Sequence, residues 1–244
     1  MNMNFRLFEK DKRKTPSKED QKIKALANSE TIKAQLRNLL MLDQRNFARY
    51  LISRDPISGK IPTSEISEII ESSIKCGKDQ ANKLLMKYGN LSPIEIANKL
   101  KLNVKYENEQ DTMDFIYFGL FESPRDIFIY KGNIKEATSI LEQIKANFFN
   151  INFNDIVLAH EIFHYIEHHD QSLYSNTRQI NLWSLGKLYT HKSSLICTGE
   201  IAGMSFAKTL LNLDFDPTIL DYIFLLAFDY EKAEALYHKI MKYS

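Results

Sequence analysis

The chain is poor in the residues that cross-link, bend or span. It holds 2 cysteines in 244 residues, Cys76 and Cys197, which form no C-x-x-C motif and are too few for a disulfide framework. That excludes the disulfide-rich secreted scaffolds and makes a cytoplasmic, reducing setting the simplest expectation. With 8 glycines and 6 prolines there is no low-complexity tract, and no internal repeat is found. Neither sign of charge dominates: 32 Lys and Arg against 31 Asp and Glu leave a net +1. No global field therefore recruits nucleic acid or a membrane surface, and no direct nucleic-acid binding is expected. No apolar run is long enough to span a bilayer, and Met1 to Phe8 lacks the apolar core of a secretory leader. What remains, 44% hydrophobic and 26% charged, is the balance of an ordinary globular chain with ample length for a core.

Against that background one pentapeptide stands out, His160-Glu161-Ile162-Phe163-His164, a single H-E-x-x-H. On a helix, positions i and i+4 share a face, so both imidazoles can reach one metal ion. Glu161 sits one residue around, where it can hold and deprotonate a water at that metal. With 6 His and 17 Glu in the chain, accidental copies number on the order of 0.01. Asn154 and Asp155 offer a helix cap ahead of the motif. Ile156-Val157-Leu158-Ala159, with Ile162, Phe163 and Ile166, then makes the helix apolar nearly all round, as in a core element. Two histidines and a carboxylate are costly to bury there without partners, and a metal ion supplies one.

Hydrolysis at zinc needs three protein ligands and one open position. The metzincin pattern requires Gly three and His six residues after His164; Glu167 and Asp170 stand there instead, which excludes it. The other pattern takes a Glu from a later helix. Glu200 fits, since Glu200, Gly203, Ala207 and Leu210 lie on one helical stripe. The small residues at 203 and 207 would let that helix pack closely on the one carrying the histidines. His168 is a rival third ligand, but it is rotated off the line of the first two, and His168-His169-Asp170 reads better as an exposed helix end. His191 could face the site from the polar stretch before Glu200, His238 reads as a surface residue, and Cys197 as a small buried thiol.

Ser92-Pro93-Ile94-Glu95 is a capping box with Pro at the first helical position. Val104 to Tyr106, Asp114 to Phe121 and Asp126 to Tyr130 alternate as strands. Ser123-Pro124-Arg125-Asp126 is a turn joining the last two into a hairpin. Lys131-Gly132-Asn133 should end the sheet, with an amphipathic helix from Ile134 to Asn147. An extended substrate is expected to add to an open strand edge of this sheet between Asp114 and Tyr130. Upstream, Ser29 to Ile52 carries one or two helices, Pro56 to Pro62 breaks the pattern, and Glu65 to Ile74 resumes it. Lys10 to Asp20 reads as a solvated charged tail, and Gln35 to Ile74 contains no convincing helix-turn-helix. After Leu213, Asp216-Pro217 opens a helix through Ala227, and Asp229 caps another through Lys242. The expectation is an α+β chain with a small, mainly antiparallel sheet, in the element order of a zincin-like domain. Residues 1–74 form a helical N-terminal extension and 75–244 the metal-bearing domain.

From Lys75 to Leu213 the chain resembles the ImmA/IrrE metallopeptidases. The resemblance rests on the helix Gln80 to Gly89, the segment Leu91 to Val104, the short strands, the H-E-x-x-H helix and the E-x-x-x-x-x-F-A-x-x-L-L run from Glu200, in that order. The chain departs at Gly203-Met204, where the family carries Ala-Asn or Ala-Asp, and in the long insert between His164 and Glu200 that holds Trp183. The resemblance implies Zn2+ as cofactor, with His160, His164 and Glu200 as ligands and Glu161 as the catalytic base. It further implies an intracellular protein substrate, typically a DNA-binding repressor or other regulator cleaved in stress or mobile-element regulation. The alternative is a non-catalytic zinc-stabilised binding protein that sequesters a regulator or toxin; a base beside a zinc ligand favours the enzyme.

Overall fold

In a computed structural model of the chain, which describes residues 4–9, 18–108, 115–150, 152–185 and 189–244, helices predominate and the strands gather into two small sheets. The architecture is α+β. The first part runs β1 (Asn4–Glu9), α1 (Lys18–Ala27), α2 (Ser29–Leu40), α3 (Gln44–Arg54), α4 (Thr63–Tyr88) and α5 (Pro93–Lys99). Next come β2 (Asn103–Glu107), β3 (Phe115–Glu122), β4 (Asp126–Tyr130) and α6 (Lys131–Gln143). The last part is α7 (Phe153–His169), α8 (Tyr174–Thr177), β5 (Gln179–Leu185), β6 (Tyr189–Ser194), α9 (Ile196–Leu210), α10 (Ile219–Phe228) and α11 (Tyr230–Met241).

Local chemistry sets several helix starts. Ser92 and Glu95 exchange hydrogen bonds in a capping box with Pro93 in the first turn, so α5 begins where the sequence places it. Asp229 accepts from the Lys232 backbone N–H at α11. The cap of α7 is Asn152, which accepts from the Asn154 N–H; Asn154 and Asp155 thus lie inside the helix, Asp155 in its first turn. The segment expected to end the sheet does so by starting a helix. Lys131-Gly132-Asn133 forms the first turn of α6, and the Asn133 amide donates to the Tyr117 carbonyl at 2.7 Å, tying this helix to the sheet.

β3 and β4 make the expected hairpin, with Gly119 opposite Ile129 and Phe121 opposite Ile127. β2 joins β4 in parallel, Val104 opposite Ile127. β1 joins the other side of β3 in antiparallel fashion, from Asn4 opposite Leu120 to Glu9 opposite Phe115. The sheet is mainly antiparallel in the order β1-β3-β4-β2. Two expectations change: the N-terminal extension contributes a strand as well as helices, and both sides of β3 are paired. Asp114 and residues 10–17 of the charged run lie outside the described residues. The insert between His164 and Glu200, read without strands, holds the hairpin of β5 and β6.

The boundary drawn after residue 74 falls inside α4, a single helix of 26 residues. Its partner is α9, which it follows over much of its length. At Gly77 the two backbones approach so closely that a Cβ would strike the Ala202 carbonyl, and Ser205 Oγ donates to the Ile74 carbonyl at 2.8 Å. The helices α1 to α3 pack on α6, α9, α10 and α11. Leu36, Leu39 and Phe47 accordingly belong to one buried cluster with Phe163, Phe206 and Phe224. Among the described residues no helix is long and apolar enough to cross a membrane.

Candidate metal centre

The H-E-x-x-H segment occupies the middle of α7, and His160, Glu161 and His164 are all buried. The helix has no polar face at this point because β3 and β4 cover one side and α9 the other. Glu200 lies in the second turn of α9 and is the most open of the group, its side chain 21% exposed. His160 Nε2 stands 2.9 Å from His164 Nε2, 3.6 Å from Glu200 Oε2, and His164 Nε2 stands 3.8 Å from Glu200 Oε1. Metal–ligand bonds of about 2.0–2.1 Å at tetrahedral angles place ligand atoms about 3.3–3.4 Å apart. The observed triangle brackets that separation, so the three residues form a buried group that could hold a metal ion.

Close backbone approach makes the group possible. A Cβ on Gly203 would lie 2.8 Å from both Cε1 and Nδ1 of His160, so the absence of a side chain there admits the imidazole between α7 and α9. The small residues read as a packing stripe do that work on the metal side of α9. Toward the sheet, a Cβ on Gly119 of β3 would lie 2.7 Å from Glu161 Oε1. Glu161 is therefore held beneath β3, fully buried, with neither carboxylate oxygen in a well-formed hydrogen bond among the described residues.

Electrostatics follow from burial. Desolvation pushes the Glu161 carboxyl up to about 8, against the lowering influence of His164 and the Phe121 backbone N–H. Burial and the neighbouring His164 hold His160 well below the ordinary imidazole range. For His164 burial acts downward, but the hydrogen bond it donates to Glu167 and the charges of Glu200 and Glu167 outweigh it and raise the ring to about 9. Glu200 is shifted upward by burial and held back by His164 and Arg54.

The group opens on a cavity of about 1030 Å³ whose wall includes His164, Glu167, Glu200, Arg54 and Asp221. Arg54, from the extension, donates through Nη1 to Asp221 Oδ2 at 2.9 Å and to the Tyr50 hydroxyl at 2.9 Å. Tyr50 in turn donates to Asp221 Oδ2. Its neighbour Asp55 is buried and accepts from the Cys197 backbone N–H at 2.9 Å, supplying a cap to α9, whose own N-cap residue Leu195 has none. None of these roles is legible in the sequence, because the partners lie about 140 to 170 residues apart.

The other sequence candidates separate. His168 is exposed at the cavity rim, within 2.9 Å of Ser123 Oγ, and is not in the metal group. His191 sits on β6 opposite Trp183, outside the group; His238 is exposed on α11. Cys197 is buried, and burial raises its thiol, as the buried-thiol reading holds. A residue the sequence reading used merely to exclude a pattern proves central in position: Glu167, 1% exposed, with Oε2 3.0 Å from His164 Nδ1. Its signal was its place three residues after His164 on the same helix face. No protein-family model, curated protein or solved structure matched the chain when it was compared with each.

Proposed function

We propose that the chain is a zinc-dependent endopeptidase of the ImmA/IrrE type with a zincin-like catalytic domain. On this reading it acts inside the cell on a regulatory protein such as a DNA-binding repressor. The observation that supports the reading is the convergence on one point of His160 and His164 from α7 and Glu200 from α9, 40 positions after His160, with Glu161 on the same helix as the histidines. The donor set, two imidazoles and a carboxylate, suits zinc, and His164 and Glu200 line the cavity from which a substrate would approach. A bound zinc ion would polarise a scissile carbonyl and make water more acidic. Glu161 would take the proton from the attacking water and return it to the leaving amine. Gly119 leaves room over its carboxylate, and burial keeps the group's proton affinity near neutrality, where a base that must also act as an acid is most effective.

One observation favours the second reading, a zinc-stabilised protein that sequesters a regulator or toxin: Glu161 lies beneath β3 and is fully buried. A substrate would have to reach it by movement of β3 or of the side chain. The test is elemental analysis joined to a cleavage assay on regulators encoded beside the gene. The expected result is one zinc per chain in the wild type, with loss in His160→Ala and Glu200→Ala. Glu161→Gln should keep its metal and lose cleavage by about 10²–10⁴-fold. Wild-type zinc content in both ligand variants would refute the ligand set; full cleavage by Glu161→Gln would leave the sequestering protein as the better reading.

A further inference from the structure

We infer that Glu167 is a positioning residue for the metal centre, orienting His164 and balancing the charge of a bound dication. The inference rests on the metal-binding part of the function proposed above. It begins with geometry. His164 turns Nε2 toward His160 and Glu200 and Nδ1 toward Glu167 Oε2, 3.0 Å away. A carboxylate accepting from Nδ1–H fixes that nitrogen as the protonated one and leaves the Nε2 lone pair for a metal. The ring can then neither flip nor tautomerise without breaking a buried hydrogen bond.

Packing points the same way. Glu167 is 1% exposed, and a carboxylate buried to that degree is stable only when paired. Its pocket is built by α9: a Cβ on Gly199 would lie 2.8 Å from Glu167 Oε1. Gly199 is followed directly by Glu200, so one turn of α9 both admits the orienting carboxylate and delivers the third ligand. The backbone is fixed as well, since the Asn176 amide donates to the Glu167 carbonyl at 2.6 Å. Charge completes the case. Glu200 alone leaves a dication with one positive charge uncompensated, and Glu167 supplies the second negative charge within the same buried volume.

The experiment titrates metal-free wild type, Glu167→Gln and Glu167→Ala with Zn2+ against a chromophoric chelator, and follows melting of the metal-free and zinc-loaded forms. Glu167→Ala should bind zinc about 10–100-fold more weakly, the usual effect of removing such a partner. Glu167→Gln, nearly isosteric and still able to accept from Nδ1–H, should fall between it and the wild type. The cobalt-substituted Gln variant should also show a shifted ligand-field spectrum. If Glu167 were simply a core ion-pair partner, the variants would melt lower without metal but keep the wild-type zinc affinity, and the inference would be wrong. The Gln variant keeps the test alive where Ala fails to fold. Wild-type protein that binds no zinc would refute the metal-centre reading itself, and this inference with it; tight wild-type binding with unchanged variants would refute the inference alone.

Discussion

At the scale of single residues, most of the buried carboxyl groups among the described residues are compensated. Asp221 has Arg54 and Tyr50, Glu167 has His164, and Asp55 has two backbone amides. Asp216 is less well served. It accepts from the Thr218 backbone N–H, yet burial dominates and raises its pKa to about 6. The folded state therefore holds this proton more tightly than the unfolded chain does. Its contribution to stability is fully present below the ordinary aspartate pKa and is lost as pH rises through about 6. Asp216→Asn keeps an acceptor for Thr218 and removes the charge. It should therefore come close to the wild type near pH 4 and exceed it near pH 7.5 by on the order of 3 kcal/mol. Denaturant melts at both pH values check this; a difference that does not change with pH would mean that Asp216 does not titrate as inferred. Residues of this kind show the limit of local reading. His160, Glu161 and His164 announce themselves through spacing, because helix periodicity alone brings them together. Glu167 looks like one more charged residue near a helix end, and its burial is decided by Gly199, which lies 32 positions later in sequence.

At the scale of elements, segments with strong local signals formed where the sequence placed them. The capping box of α5, the cap of α11 and the β3–β4 hairpin are examples, each specified within a few residues. Elements decided by distant partners did not. β1 pairs with residues more than 100 positions away, and β2 pairs in parallel with β4 although the alternating pattern carries no mark of direction. The continuity of α4 across Ser72, Ser73 and Gly77 contradicts weak local propensity and follows from its packing on α9. That same packing logic makes Gly203 the most sensitive position of α9. A Cβ there meets ring atoms of His160, and a buried ring cannot swing aside as a flexible chain end would. Gly203→Ala should cost about 1–3 kcal/mol in stability, as overpacking does, and lower zinc affinity by displacing His160. Gly59→Ala, at a glycine with open space around it, is the control. Unchanged metal affinity in Gly203→Ala would show that α7 and α9 can separate without disturbing the ligands.

At the scale of the whole molecule, the extension and the part that carries the candidate metal group share one interior. The buried face of α10, Ile219 to Ala227, is covered in part by α1, while α3 lies on α9 and ends in Arg54 and Asp55. Arg54 holds the buried Asp221 at the cavity wall, and Asp55 caps the helix that carries Glu200. Removing residues 1–62 would thus do three things at once. It would expose the apolar surface now covered by Leu36, Leu39 and Phe47, leave Asp221 buried without its cation, and uncap α9. The lost cap alone is worth about 0.5–2 kcal/mol, and a buried charge stripped of its partner typically costs about 3–5 kcal/mol, less here because Arg54 is one-third exposed. Losses of that size compare with the whole stability of an ordinary domain. The truncated chain should therefore aggregate or lose its cooperative melting transition, rather than persist as a folded domain. Circular dichroism melts with size-exclusion chromatography decide the matter. A monomeric truncated protein that melts cooperatively and still binds zinc would show that 63–244 is a self-sufficient unit. Asp55→Ala in the full chain offers the finer test, since it removes the cap and leaves the core intact. It should melt lower by about 1 kcal/mol and bind zinc more weakly if the start of α9 sets the place of Glu200.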